Sequence, residues 1–207
     1  MRNGSSVQDR IVLAAKQEFL NHGFKDASLR RIASTVGMTT GAIYTHFRDK
    51  QDLFDMVVSP VTEQLENVFT ELSRTYYNDE GIINEISYEK TIADLTVVYD
   101  FIYKNFDVFR ILLLGSSGST HEDFIHVLVN QEVRHTQAYL DRLNMWGSQG
   151  IQLDPSVMHT ISEGYINALL EPVRHGMTHQ QALGNLDFIV TFYTGGWLNV
   201  FGRCCLD

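Results

Sequence analysis

Apolar residues recur at helical spacing twice between Ser28 and Lys50, with a glycine separating the two runs. Leu29, Ile32, Ala33 and Val36 stand at i, i+3, i+4 and i+7, which is one stripe of an α-helix. Ser28 occupies the N-cap position, from which its hydroxyl is expected to take an orphan amide. Gly37 supplies the conformational freedom of a tight turn. Thr39 is the next cap, and Ile43 and Phe47, four apart, anchor a second short helix on the first. The positions left outside are Arg30, Arg31, Thr40, Gly41, Tyr44, His46 and Lys50. Two helices with such a basic, hydroxyl-bearing outer face read as a helix-turn-helix made for nucleic acid.

The same periodicity organises the rest of the chain. A helix over 8–22, with Ile11, Ala14, Ala15 and Phe19 on one face and His22 and Gly23 as its stop, completes a three-helix headpiece. A long amphipathic helix from about Asp49 carries Leu53, Phe54, Val57, Val61, Leu65, Val68 and Leu72 on one side. Pro60 removes the amide that would bond the Met56 carbonyl, so a kink or break is expected near Ser59. Such a bend is either a hinge for the headpiece or a fit to packing. A loop is expected at 78–81, then helices over 88–106, 107–114, 122 to about 146, 155 to about 174, and 179 to about 204. Asp154 before Pro155 is a helix start, and Thr178 with Gln181 forms a capping box. Strand alternation is absent. The fold class is all-α, about nine helices, divided into a reading domain over 1–50 and a larger helical domain over 51–207.

The last two helices are more apolar than one protomer needs. Ile161, Tyr165 and Ala168 line one, and Leu186, Ile189, Tyr193, Gly196 and Trp197 line the other. Gly195 and Gly196 inside a helix cost about 1 kcal/mol each, which close backbone approach can offset. These helices are expected to pair with their symmetry mates as a four-helix bundle in a homodimer. The middle helices are rich in aromatic residues, among them Tyr99, Tyr103, Phe106, Phe124, Tyr139, Trp146 and Tyr165. With carboxylates such as Glu132 among them, they can wall an apolar pocket suited to a lipophilic cation.

Composition first argues against DNA and then for it. The 207 residues are 44% apolar and 20% charged, which excludes a disordered chain, and their net charge is −9. Residues 1–50, however, hold eight Lys/Arg against four Asp/Glu, a net of +4; residues 51–207 hold eight against 21, a net of −13. That is a small basic reader joined to an acidic module. The two cysteines, Cys204 and Cys205, are adjacent and poorly placed for an unstrained disulfide, so a reducing, cytoplasmic setting is expected. The first residues lack a signal-peptide core, and the run Ile111 to Leu114 is far short of the ~20 residues that span a bilayer. Neither export nor membrane insertion is expected.

Metal and catalytic chemistry find little footing. Glu132 and His135 have the Glu-x-x-His spacing of helical di-iron sites, but no second pair exists. His175 and His179 are four apart with a turn between them. No phosphate-binding glycine loop or nucleophile elbow occurs. No metal, no cofactor and no catalytic residue is expected.

One resemblance ties the headpiece together. The order hydroxyl-x-x-x-Ile-Ala-x-x-Val-Gly-(apolar)-Thr-x-Gly-x-(apolar)-Tyr-x-x-Phe-x-x-Lys-x-x-Leu, from Ser28 to Leu53, resembles the tetracycline-repressor (TetR) family of transcriptional regulators. The resemblance covers roughly residues 8–57 and implies a dimer that binds a palindromic operator in double-stranded DNA and is released by a small-molecule effector. It implies that Arg30 makes a bidentate guanine contact. Thr39, Thr40 and Gly41 would lie nearest the bases, Tyr44 and His46 on the phosphate backbone, and Lys50 on a phosphate beside the N-terminal amides of its helix, with Ser28 in the same DNA-contacting set. Arg31 meets either a phosphate or an acidic neighbour. The rival reading is an all-α enzyme or carrier using the aromatic cavity, with the headpiece a relic or docking unit.

Overall fold

Ser6 and Asp9 open the first helix reciprocally: the Asp9 amide donates to Ser6 Oγ at 3.0 Å and the Ser6 amide to Asp9 Oδ2 at 2.8 Å. The computed structural model describes residues 6–76, 88–145 and 153–204. Their helices are α1 (Val7–Asp26), α2 (Leu29–Thr35), α3 (Thr40–Ile43), α4 (Lys50–Tyr76), α5 (Tyr88–Lys104), α6 (Phe106–Leu114), α7 (Phe124–Met145), α8 (Pro155–Arg174) and α9 (His179–Cys204). The all-α reading and its nine helices hold for these residues. Trp146, the loops at 78–81 and 147–150 and the thiols of Cys204 and Cys205 lie outside the described residues.

Helix ends follow the local chemistry closely. Gly23, at φ +68° and ψ 172°, interrupts α1 where the stop was expected, and a last turn then runs on to Asp26. Gly37 closes α2 at φ +72°: the Met38 amide donates to the Ala33 carbonyl and the Gly37 amide to that of Ser34, a Schellman pair. Asp154 caps α8 by accepting from the Ser156 amide at 2.8 Å. Gln181 and Thr178 exchange the capping-box bonds expected of them at the start of α9. The break that was one of the two outcomes expected at Pro60 does not occur: α4 runs from Lys50 to Tyr76 through it. Met56 and Pro60 share a helix face four residues apart, and both are exposed, so the carbonyl left without an amide faces outward.

Packing divides the described chain into two units. The first holds the chain up to Val68 together with Lys104–Asp123; the second holds Phe69–Tyr103 and the chain from Phe124 onward. In the first, Ile11, Phe19, Ile32, Ile43, Phe47, Leu53 and Phe54 are buried. Phe54 meets the rings of Phe19 and Phe24 edge-on, with centroids 4.9 and 5.1 Å away. Residues 1–50 therefore share their core with the start of α4, and α6 packs on α1. In the second unit α7 packs on α8 and α8 on α9. Tyr99, Leu169, Ala182, Leu186 and Val190 form one buried cluster and Leu140 with Met158 another.

Candidate nucleic-acid interface

The reading face is built on two short helices held from behind. Ile32 and Ala33 of α2 and Ile43 of α3 are buried, and Phe47 closes the pair. Thr39 caps α3 as expected, accepting from the Ala42 amide at 3.2 Å. Arg10 Nη2 donates to the Val36 carbonyl at 3.0 Å, which ties α1 to the turn. On the open side Arg30, Gly41 and Tyr44 are exposed and Thr40 and His46 half-buried. Their side chains make no hydrogen bond or ion pair with the described residues, although the His46 ring leans on Phe47. A Cβ built on Gly41 would meet only Thr39 Oγ1, at 3.8 Å. Nothing inside the described chain therefore requires a glycine there.

Three residues of the expected face are engaged elsewhere. Ser28 stands at the N-cap of α2, but its hydroxyl caps nothing; instead its amide donates to Glu18 Oε1 at 2.8 Å. Arg31 takes the acidic-neighbour alternative: its Nε donates to Glu18 Oε1 at 2.8 Å and its Nη2 to the Asp26 carbonyl at 2.8 Å. Burial pushes the pKa of Glu18 up, but the bonds from Arg31 and Ser28 outweigh it and leave the carboxyl below its ordinary value. Lys50 turns inward, with Nζ donating to the carbonyls of Lys25 and Ala27 at 3.0 and 3.3 Å. Nor are the amides at and just before the start of α4 all open. The Asp52 amide donates to Asp49 Oδ1 at 2.8 Å and the Arg48 amide to Asp52 Oδ2 at 2.9 Å.

Sequence reading did not single out Glu18, which is 9% exposed. A charged residue one position before Phe19 on a buried face was the available signal. The stretch that follows α6 is docked within the first unit. The Thr120 amide donates to Gln51 Oε1 at 3.2 Å, Gln51 Nε2 donates to Thr120 Oγ1 at 2.9 Å, and His121 Nε2 lies 3.0 Å from Asp55.

The expected pocket residues are only partly brought together. Tyr99 is 1% exposed and its hydroxyl donates to the Leu169 carbonyl at 2.7 Å; that of Tyr103 donates to the Met177 carbonyl at 3.0 Å. Both tie α5 to the α8–α9 region of their own unit. Tyr165 packs on that cluster and faces Tyr193, centroids 4.9 Å apart. Phe106 belongs to the first unit, whereas Phe124, Glu132, Tyr139 and Tyr165 belong to the second. Phe124 is buried and Tyr139 half-buried. On α7, burial of the Glu132 carboxyl raises its pKa, and the Thr136 hydroxyl at 3.4 Å offsets this only in part.

The surface expected to join two protomers is also redistributed. Leu186 is 1% exposed and belongs to the intrachain cluster, against which Ile189 packs as well. Tyr193 is half-buried, its hydroxyl 3.0 Å from where a Cβ on Gly164 would stand. Ile161, Ala168 and Trp197 are half-buried and Gly196 is exposed. Among the described residues, the exposed large apolar side chains of α9 are Phe188 and Phe192, 76% and 75% exposed, with Val157 on α8. Sequence reading chose one of the two apolar stripes of α9; the 3.6-residue period cannot say which of them the chain itself covers.

Among the described residues no three His, Cys, Asp or Glu gather as a metal site, and no helix is long and apolar enough to cross a membrane.

Comparison with known proteins agrees with the headpiece geometry. Residues 11–57 match bacterial regulatory proteins, tetR family. The chain is 30% identical over 172 residues to the HTH-type transcriptional regulator SrpR of Pseudomonas putida, covering 79% of this chain and 73% of that one. It is 36% identical over 70 residues to the HTH-type transcriptional repressor BepR of Brucella suis, a match spanning 34% of each protein. A solved transcriptional regulator (TerR/AcrR family) from Aquifex aeolicus shares the fold, with a TM-score of 0.62 over 90% of this chain and 99% of that one at 16% identity. These relatives are regulators of transcription and not enzymes, which sets the catalytic alternative aside. From a helix-turn-helix with an uncommitted outer face and a relative matched along most of its length, the chain belongs to the tetR family of bacterial transcriptional regulators.

Proposed function

We propose that this protein is a cytoplasmic, homodimeric repressor that holds a palindromic operator and releases it when a small-molecule effector binds. The observation that carries the reading is Gly41. It sits on an exposed helix start where its own chain leaves a Cβ free, so the space is available for close approach by a partner. Beside it, Thr39 and Thr40 face the bases, Arg30 takes a guanine edge, and Tyr44, His46 and Ser28 meet the backbone. Arg31 and Lys50 leave this contact set because both side chains are held by acceptors inside the protein. Repression is supported by the Brucella suis relative, a transcriptional repressor.

The dimer is formed by α8 and α9, centred on Phe188 and Phe192, with Val157, Ile161, Ala168, Gly196 and Trp197 around them. Support comes from the two exposed rings and from Gly195 and Gly196, where a Cβ would meet nothing of the described chain within 4 Å. The effector is a lipophilic cation recognised in the second unit by Glu132. The carboxyl has only the Thr136 hydroxyl beside it and no basic partner among the described residues. One turn from the Leu140–Met158 contact, Ser162 on α8 buries a hydroxyl without a partner among the described residues. Binding there lowers operator affinity by the coupling free energy between the two sites.

Selection of duplexes from a random pool by the purified protein tests the reading. A two-fold symmetric consensus is expected, bound as two protomers and lost in Arg30→Ala. Enrichment of no sequence would end it.

A further inference from the structure

The turn that carries α1 into α2 is held by three charged side chains from three different helices. Its successive carbonyls are all taken: Lys50 Nζ donates to those of Lys25 and Ala27, at 3.0 and 3.3 Å, and Arg31 Nη2 to that of Asp26, at 2.8 Å. The Ala27 amide donates to the Gly23 carbonyl at 3.1 Å, and the Ser28 amide to Glu18 Oε1 at 2.8 Å. Charge matches dipole throughout, with cations on carbonyl oxygens and a carboxylate on the amide that opens α2. The ammonium of Lys50 also lies 4.7 Å from the centroid of the Phe24 ring. Two of its three donors are therefore committed to the turn.

Arg30 follows two residues after this turn, in the first turn of α2. Its direction is set by the backbone that Glu18 and Lys50 hold from opposite polarities. We propose that Lys50 and Glu18 are positioning residues for operator reading: they fix the turn on which Arg30 is mounted, and neither touches DNA. The assignment rests on the reading of Arg30 as a base contact. It differs from that reading in what it asks of Lys50, because a phosphate contact adds affinity for any sequence, whereas a brace adds affinity only where orientation counts.

The test uses the full chain and two duplexes of equal length, one enriched by the wild type and one scrambled, titrated over a salt series alongside a thermal melt. Lys50→Met keeps the stem beside Phe24 but loses the donors. It is expected to weaken binding to the enriched duplex about tenfold or more, to change binding to the scrambled duplex by less than about twofold, and to leave the salt slope unchanged. Lys50→Arg, which can still donate to both carbonyls, restores selectivity. Glu18→Gln keeps an acceptor for the Ser28 amide but gives up the charge on Arg31, and shows the same pattern with a smaller loss; it carries the comparison should Lys50→Met fail to fold. Equal loss on both duplexes with the slope flatter by about 0.9 would make Lys50 a phosphate contact and overturn the proposal. So would a lower melting midpoint with selectivity intact, which is the result of a merely structural role. Arg30→Ala separates the two readings. If it loses selectivity, DNA reading stands whatever the Lys50 variants do; if the wild type selects no sequence, both readings fall together.

Discussion

Gly23 and Gly115 meet backbone to backbone. A Cβ on Gly115 would stand 3.1 Å from the Cα of Gly23, 3.2 Å from the Ile111 carbonyl oxygen and 3.4 Å from that of Phe19. The Phe24 amide donates to the Gly115 carbonyl at 2.6 Å. The interruption of α1 is thus seated on the C-terminus of α6, more than ninety residues along the chain.

Gly115→Ala should therefore be felt as overpacking against backbone that cannot turn aside. A loss of about 1–3 kcal/mol is expected, read as a melting midpoint lower by about 2–4 °C for each kcal/mol. A midpoint equal to wild type would show that the two backbones can separate at no cost.

Gly41→Ala should behave in the opposite way. The site is helical and open, so alanine is expected to gain about 0.5–1 kcal/mol of stability while operator affinity falls. Thermal melting and DNA titration on the same preparation check both halves. Retained affinity would return Gly41 to the status of an ordinary surface residue.

The first unit should weaken in acid through Glu18. Its folded pKa is depressed by Arg31 and the Ser28 amide against the opposing effect of burial, so its contribution is present above the unfolded value, about 4.3. That contribution is lost as pH falls through the lower folded value. Glu18→Gln is expected to cost about 1 kcal/mol at pH 7, and the gap to wild type should close below about pH 4. Parallel melting curves across that range would remove Glu18 from the account.

Glu132 should show the reverse sign. Burial raises its folded pKa, so the charged carboxylate is a burden on the folded state that appears as pH rises from the unfolded value through the folded one. Glu132→Gln is expected to melt higher than wild type at pH 7, with the advantage vanishing in acid. The same variant should lose binding of a lipophilic cation dye. Unchanged dye binding would discard the cation assignment.

Two residues apart on α9, substitution should have different outcomes. Phe188→Asp together with Phe192→Asp is expected to yield a folded monomer in sedimentation, because both rings are exposed on the single protomer. Leu186→Asp should instead lose the fold, since it places an unpaired charge in the cluster with Tyr99 and Val190. A dimer surviving the double substitution would move the interface elsewhere.

What the chain determined by itself is most of what neighbours within a few residues govern, the Ser28 cap and the Pro60 break excepted. The helix count, Gly23 and Gly37 as breaks, Thr39 and Asp154 as caps and the inward stripe through Ile32, Ile43 and Phe47 were all legible. Capping and the 3.6-residue period act through bonds that a short peptide already contains. The order of polar and glycine positions from Ser28 to Leu53 was enough to name the family. What it left open depends on partners distant in sequence. Lys50 and Arg31 looked alike as exposed cations until Ala27, Asp26 and Glu18 were brought beside them. Leu186 looked like part of a surface for a second protomer until the cluster with Tyr99 enclosed it, while Phe188, not singled out, stayed bare. A charge or an apolar ring has no fixed role in the sequence. It acquires one from the dipole or surface that folding places opposite it, and that placement is a property of the tertiary structure alone.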